Sequence, residues 1–167
     1  TYGELNDERS NAILICHALT GSAHAAGIHE REQVPGWWDP LIGPDKPIDT
    51  NRFFVLSSNV LGGCYGSTGP TSIDPATGRP YGISFPRYTI RDMVRAEIAL
   101  THHLGVPDWR MIIGPSMGGM RALEMALMAP ELVKSLGLLG TCAATTADQL
   151  AWNVSQLAAI RADPAFA

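Results

Sequence analysis

One five-residue segment does most to limit what this chain can become. Gly114-Pro-Ser116-Met-Gly118 stands directly after a short apolar run, Met111-Ile-Ile113, and directly before a helical pattern from Met117 to Ala129. A serine placed there lies on a sharp turn from strand to helix, with its hydroxyl pushed clear of the sheet edge. Small residues on both sides give the backbone room to turn. The helix N-terminus favours negative charge developing at the serine, and the Met117 amide points to where an oxyanion would form. The letters GxSxG also arise by chance in ordinary glycine-rich βα turns. The flanking strand and helix, with Gly119 adding room, favour Ser116 as a nucleophile.

The rest of the chain supplies the sheet that such a turn needs. Residues 11–16 read as a buried strand, an almost continuous apolar run too short for a helix, and residues 52–57, 110–113 and 134–139 read the same way. Thr89-x-x-Asp92 marks a helix start: a hydroxyl accepts orphan amides, and an acid lies near the positive end of the helix. Gly105 and Pro107 end that helix. Met120, Leu123 and Leu127 lie on one face of the next, and Pro130 follows it. Thr146-x-x-Gln149 is a capping box for a last helix, which Asp163-Pro164 stops. Strands alternating with helices predict βαβ units, hence an α/β chain with a mostly parallel sheet and helices on both faces. The 17 glycines and 12 prolines concentrate in segments such as 22–47 and 59–87, which read as long loops, and loops of that length are usually functional. The 167 residues fit one domain.

Composition excludes several functions. With 46% hydrophobic and 17% charged residues the chain is not disordered. Its net charge of −4 and 12 scattered basic residues give no footprint for nucleic acid. No apolar run is long enough to span a membrane, and no leader opens the chain. Three cysteines, Cys16, Cys64 and Cys142, lie far apart without a CxxC pair. This spacing argues against a disulfide framework or a metal site and for a reducing cytoplasm. The glycines of Asn59-Val-Leu-Gly-Gly-Cys-Tyr-Gly-Ser-Thr-Gly-Pro70 lack the lysine of a phosphate loop and the spacing of a dinucleotide site. Cys64, among them, has no base nearby in sequence and reads as a structural thiol. Trp37, Trp38 and Tyr65 read as anchors that pin loops to the body, with a pocket lining as the alternative. Asn153-Val-Ser155 matches a glycosylation sequon but falls inside the last helix.

His17-Ala-Leu-Thr-Gly21 follows the first strand. In an α/β hydrolase the loop after an early strand supplies the second oxyanion amide, and Leu19 is the residue assigned to it. His17 itself reads as a hydrogen-bonded core histidine, because an imidazole ahead of the nucleophile does not fit the order of the triad.

Taken together, these segments resemble the homoserine O-acetyltransferase family, acyltransferases of the α/β-hydrolase fold. The resemblance rests on His17-Ala-Leu-Thr-Gly-Ser-Ala-His24, Pro35-Gly-Trp-Trp-Asp39, the 59–70 segment, Phe85-Pro86, Ile90-Arg-Asp-Met-Val94 and Ser116-Met-Gly-Gly-Met120. It continues through Ala151-Trp-Asn153, Ala159-Ile160 and Asp163-Pro164. It implies a serine that takes an acetyl group from acetyl-CoA as co-substrate and passes it to the hydroxyl of L-homoserine, in methionine biosynthesis. No permanently bound cofactor and no metal are implied; a homodimer is compatible with it. Carried over by residue, Ser116 matches the nucleophile, and Leu19 and Met117 the oxyanion amides. Serine O-acetyl- and succinyltransferases share these motifs, a carboxylesterase uses the same elbow, and a non-catalytic remnant is the reading of another class.

Three residues depart from the family pattern. Pro115 stands where a small residue is usual, Arg121 replaces a more usual Gln and reads as structural, and Leu157 lies where Arg is frequent. The triad of this fold runs Ser, then Asp or Glu, then His. All five histidines (His17, His24, His29, His102, His103) precede Ser116. Glu124 and Glu131 come too early for the acid, and Asp148 and Asp163 belong to the last helix. Residues 1–167 are therefore expected to be the N-terminal part of the catalytic domain. The later strands, most of the lid and the triad Asp and His would lie in a further segment or a second polypeptide.

Overall fold

The computed structural model describes residues 1–29 and 33–165. The strands are β1 (Ala12–Ile15), β2 (Ile42–Gly43), β3 (Ile48–Asp49), β4 (Phe54–Ser57), β5 (Ile73–Asp74), β6 (Arg79–Pro80), β7 (Met111–Pro115) and β8 (Leu136–Leu139); the α-helices are α1 (Ile90–His103), α2 (Met117–Met128) and α3 (Ala147–Ala162). Four strands form the main sheet in the order β4-β1-β7-β8, all parallel, with Leu14 opposite both Leu56 and Ile112. This is the α/β-hydrolase arrangement, a parallel sheet with flanking helices. The short pairs β2–β3 and β5–β6 lie within the two long loops.

Alternation along β1 divides the core. Ala12, Leu14 and Cys16 face α1 and α2, where they pack with Leu56, Val94, Ile112 and Met125. Ile13 and Ile15 face the other way, against Ala25, Ala26, Ile42 and the partly buried Trp37 and Trp38. Helices on both faces are therefore not what the described residues show: one face carries α1 and α2, and the first long loop closes the other. Its apolar residues are too irregularly spaced for a helix, yet they bury well. Trp37 pins this loop as expected, with its Nε1–H donating to Ser22 O at 2.9 Å.

The capping signals read from sequence form as written. Thr89 and Asp92 exchange hydrogen bonds at the start of α1, and Thr146 and Gln149 do so at α3. The Thr89 hydroxyl and amide, helped by Arg95, hold the Asp92 carboxyl below its ordinary range. Gly105 leaves α1 at φ 64°, a left-handed turn that favours glycine. Trp109, fully buried, donates its Nε1–H to Thr101 Oγ1 at 3.1 Å. That bond ties the end of α1 to the approach of β7.

Candidate active site

Ser116 sits between β7 and α2 with φ 51° and ψ −119°, a conformation rare for any residue with a side chain. Backbone strain of this kind costs of order 1–3 kcal/mol and persists only where the surroundings over-determine it. Here they do. Ser116 N–H donates to Leu139 O at the end of β8, 2.9 Å away, and the Thr141 hydroxyl donates to Ser116 O at 2.8 Å. The amides of Gly119 and Met120 donate to the same carbonyl.

The flanking glycines have a steric reason. A β-carbon at Gly118 would overlap the carbonyl of Cys16, and one at Gly114 would press on the same oxygen. The elbow therefore lies directly against the end of β1, where the 17–21 loop begins. Ser116 is left exposed, and among the described residues no side chain is hydrogen-bonded to its hydroxyl. Met117 is the first residue of α2, where an amide has no acceptor within the helix. Met117 and Leu19 line one cleft of about 320 Å3, together with Val60, Gly63, Tyr65 and Tyr88. The structure thus brings the two segments assigned to the oxyanion hole to the same cleft.

The loop carrying Leu19 is fastened at several points. Gly21 N–H donates to Ala18 O at 3.0 Å, and Ala23 N–H donates to Asn59 Oδ1 at 2.7 Å. His17 is buried with both ring nitrogens engaged. Val60 N–H donates to Nε2 at 3.3 Å, so Nδ1 carries the proton and donates to Ala18 O at 2.7 Å. Burial holds its pKa below the ordinary 6.5, and the charge of Arg121 lowers it further. A neutral imidazole with both nitrogens committed is a structural group, as the sequence reading has it. Of the other histidines, His24 stacks on His29 with ring centroids 3.9 Å apart, and His102 and His103 close α1.

Other side chains differ from expectation or add to it. Cys64 is an exposed thiol on the cleft rather than a packed one. Cys16 is packed, and burial together with Glu97 pushes its thiol far up. Tyr65 contributes to the cleft wall instead of anchoring its loop to the core. Asp39, from the Trp-Trp-Asp segment, accepts Gly27 N–H at 2.7 Å and pairs with Lys46 at 3.0 Å, which holds its carboxyl below the ordinary value. Arg121 is structural, as expected, but its partner Glu97 was not legible from sequence. Both are buried and form an ion pair between α2 and α1. Among the described residues no three or more His, Cys, Asp or Glu gather to hold a metal ion, and no helix is long and apolar enough to cross a membrane.

Comparison with known proteins adds context to this geometry. The profile of the alpha/beta hydrolase fold matches residues 11–166. A homoserine O-acetyltransferase of Carboxydothermus hydrogenoformans is 56% identical over 98% of the chain, which is 44% of the relative's length. A homoserine O-succinyltransferase of Magnetococcus marinus is 55% identical over 99% of the chain and 42% of its own length. Among solved structures, esterase E22 superposes with a TM-score of 0.88 at 42% identity, covering 98% of this chain and 46% of that one. The chain thus spans less than half the length of each of these proteins.

Proposed function

The chain belongs to the alpha/beta hydrolase fold family, and on that premise we propose that it carries the nucleophile and the oxyanion hole of a homoserine O-acyltransferase. Ser116 is the nucleophile; the amides of Met117 and Leu19 receive the oxyanion. The reaction moves an acetyl group from acetyl-CoA, through a Ser116 ester, to the hydroxyl of L-homoserine, a step of methionine biosynthesis in the cytoplasm. The observation that carries this reading is the Ser116 backbone, held at φ 51° beside a cleft that both Leu19 and Met117 line. Each such donor contributes roughly a hundred- to thousandfold to acyl transfer.

The histidine that must take the serine's proton, and the acid that orients it, come from sequence outside these 167 residues or from a second polypeptide. A neutral hydroxyl without a base is a weak nucleophile. The 167-residue chain is therefore expected to turn over acetyl-CoA far more slowly than an intact relative. Steady transfer by the pure chain at ordinary rates, lost in Ser116→Ala, would show that the base lies within it. Retained activity in Ser116→Ala, once the remaining segment is supplied, would remove the nucleophile assignment.

The likeness to esterase E22 supports a second reading, hydrolysis of a small ester on the same elbow. The two differ only in what attacks the acyl-serine. An assay offering L-homoserine, L-serine and water together decides between them: transfer to homoserine supports the acyltransferase, and release to water alone supports the esterase. Running it with acetyl- and succinyl-CoA fixes the acyl group, on which the two sequence relatives differ.

A further inference from the structure

The ion pair on the helix that carries Ser116 has no role in the chemistry described so far. Arg121 is wholly buried on α2 and pairs with Glu97 on α1, itself 7% exposed. Removing a guanidinium and a carboxylate from water is unfavourable, and apolar side chains of similar volume often serve stability as well or better. Stability alone therefore does not account for the pair. Its contacts point elsewhere. Arg121 Nη1–H donates to the carbonyl of His17, 3.2 Å away. The His17 ring in turn donates to Ala18 O and accepts from Val60 N–H. Glu97 also lines a cavity of about 100 Å3 together with Ser58, Asn59 and Val60.

We infer that Arg121 is a positioning residue: anchored by Glu97, it fixes the His17 backbone and, through the His17 ring, joins the 17–21 loop to the glycine-rich loop at Val60. This network sets the Leu19 amide beside the elbow. The inference rests on the reading of Ser116 as nucleophile and Leu19 as oxyanion donor. The four segments it joins are α1, α2, the loop after β1 and the loop after β4. One donated hydrogen bond, to His17 O, transmits the effect, so the requirement is for an N–H at position 121 rather than for charge.

Two double variants separate the donor from the charge. E97Q/R121Q removes both charges and keeps an N–H at position 121; E97Q/R121M puts a thioether in place of that side-chain amide and so has no N–H there. The first readout is amide hydrogen exchange over 17–21 and 59–62. The second is the rate at which a fluorophosphonate labels Ser116, located by peptide mass mapping. In that reaction the Oγ–P bond forms as P–F breaks, and the hydroxyl proton leaves with fluoride. The expected result is exchange about tenfold faster in both loops of E97Q/R121M and labelling slowed about tenfold or more, in keeping with the penalty for a misplaced oxyanion donor. E97Q/R121Q should restore both to the parent's values. Parent-like exchange and labelling in E97Q/R121M would overturn the inference, as would failure of E97Q/R121Q to restore them. Should E97Q/R121M not fold, E97L/R121M, with no buried polar group at either position, replaces it under the same criteria. Labelling undiminished in Ser116→Ala would overturn the nucleophile reading instead. The exchange data would then decide the positioning role alone.

Discussion

Two tryptophans mark the contrast between two regions of this molecule. Trp109 leads into β7 fully buried, with its indole N–H bonded to Thr101, whereas Trp152 on α3 is 66% exposed. The difference extends to their surroundings. Around the elbow, Gly114 and Gly118 meet the end of β1 with no room for a methyl group, and the Ser116 backbone is held at both its N–H and its carbonyl. On α3 no residue is buried; Leu150, Val154, Leu157 and Ile160 are exposed along with Trp152. The elbow owes its shape to packing, while α3 owes its form to a capping box and local propensity. The proposed nucleophile accordingly lies where the chain is over-determined.

Substitutions can break or sharpen that contrast. Trp109→Ala should destabilise the fold by ~3–5 kcal/mol, the range for removing a buried aromatic, whereas Trp152→Ala should change it by less than about 0.5 kcal/mol. Chemical denaturation of the two variants checks this, and equal losses would erase the distinction. Gly118→Ala comes next. The added methyl group overlaps the Cys16 carbonyl, so a loss of ~3 kcal/mol is expected, as for overpacking in a tight core. In a chain of this length that lowers the thermal midpoint by roughly 6–12 °C.

The third test uses pH. His17 has its pKa lowered by burial, so the unfolded chain takes up its proton before the folded one. Its contribution is present above pH 6.5 and is lost as pH falls below that value, because protonating Nε2 breaks the bond from Val60. Asp39 and Asp92, whose carboxyls are also held down, act in a lower window, below the ordinary 3.8. Thermal unfolding followed from neutrality downward should show an early loss that His17→Gln flattens. The smallest effect is expected at α3. Thr146→Ala removes its cap at a cost of ~1 kcal/mol, read as faster amide exchange within α3, with the main unfolding transition unmoved.

Much of this is legible in the sequence. The four main strands, the two capping pairs and the elbow follow from patterns local to a few residues, where short-range physics decides. The face closed by residues of the first long loop was not legible, because Ala25, Ala26, Ile42 and Trp37 bury without any helical or strand period. The two-residue strands carry too few residues to show alternation. The Arg121–Glu97 pair joins positions on different helices, and a charged residue on an otherwise apolar helix face does not name its partner. Within the candidate site, Ser116, Leu19 and Met117 could be placed from motif and order. Tyr88, Val60 and the roles of Asn59 and His17 in fastening the two loops required the fold, since those contacts connect distant segments.

The central proposal is that the elbow and the 17–21 loop supply the nucleophile and oxyanion donors of an acyl-transfer site whose base and acid come from outside residues 1–167. Exogenous imidazole can stand in for a missing histidine. The most direct measurement is therefore the rate at which an activated acetyl ester acetylates Ser116, mapped by peptide mass spectrometry, as a function of added imidazole. The account predicts slow acetylation in plain buffer, acceleration with imidazole, and no acetyl group at this position in Ser116→Ala. Fast turnover in plain buffer, indifferent to imidazole and undiminished in Ser116→Ala, would contradict it.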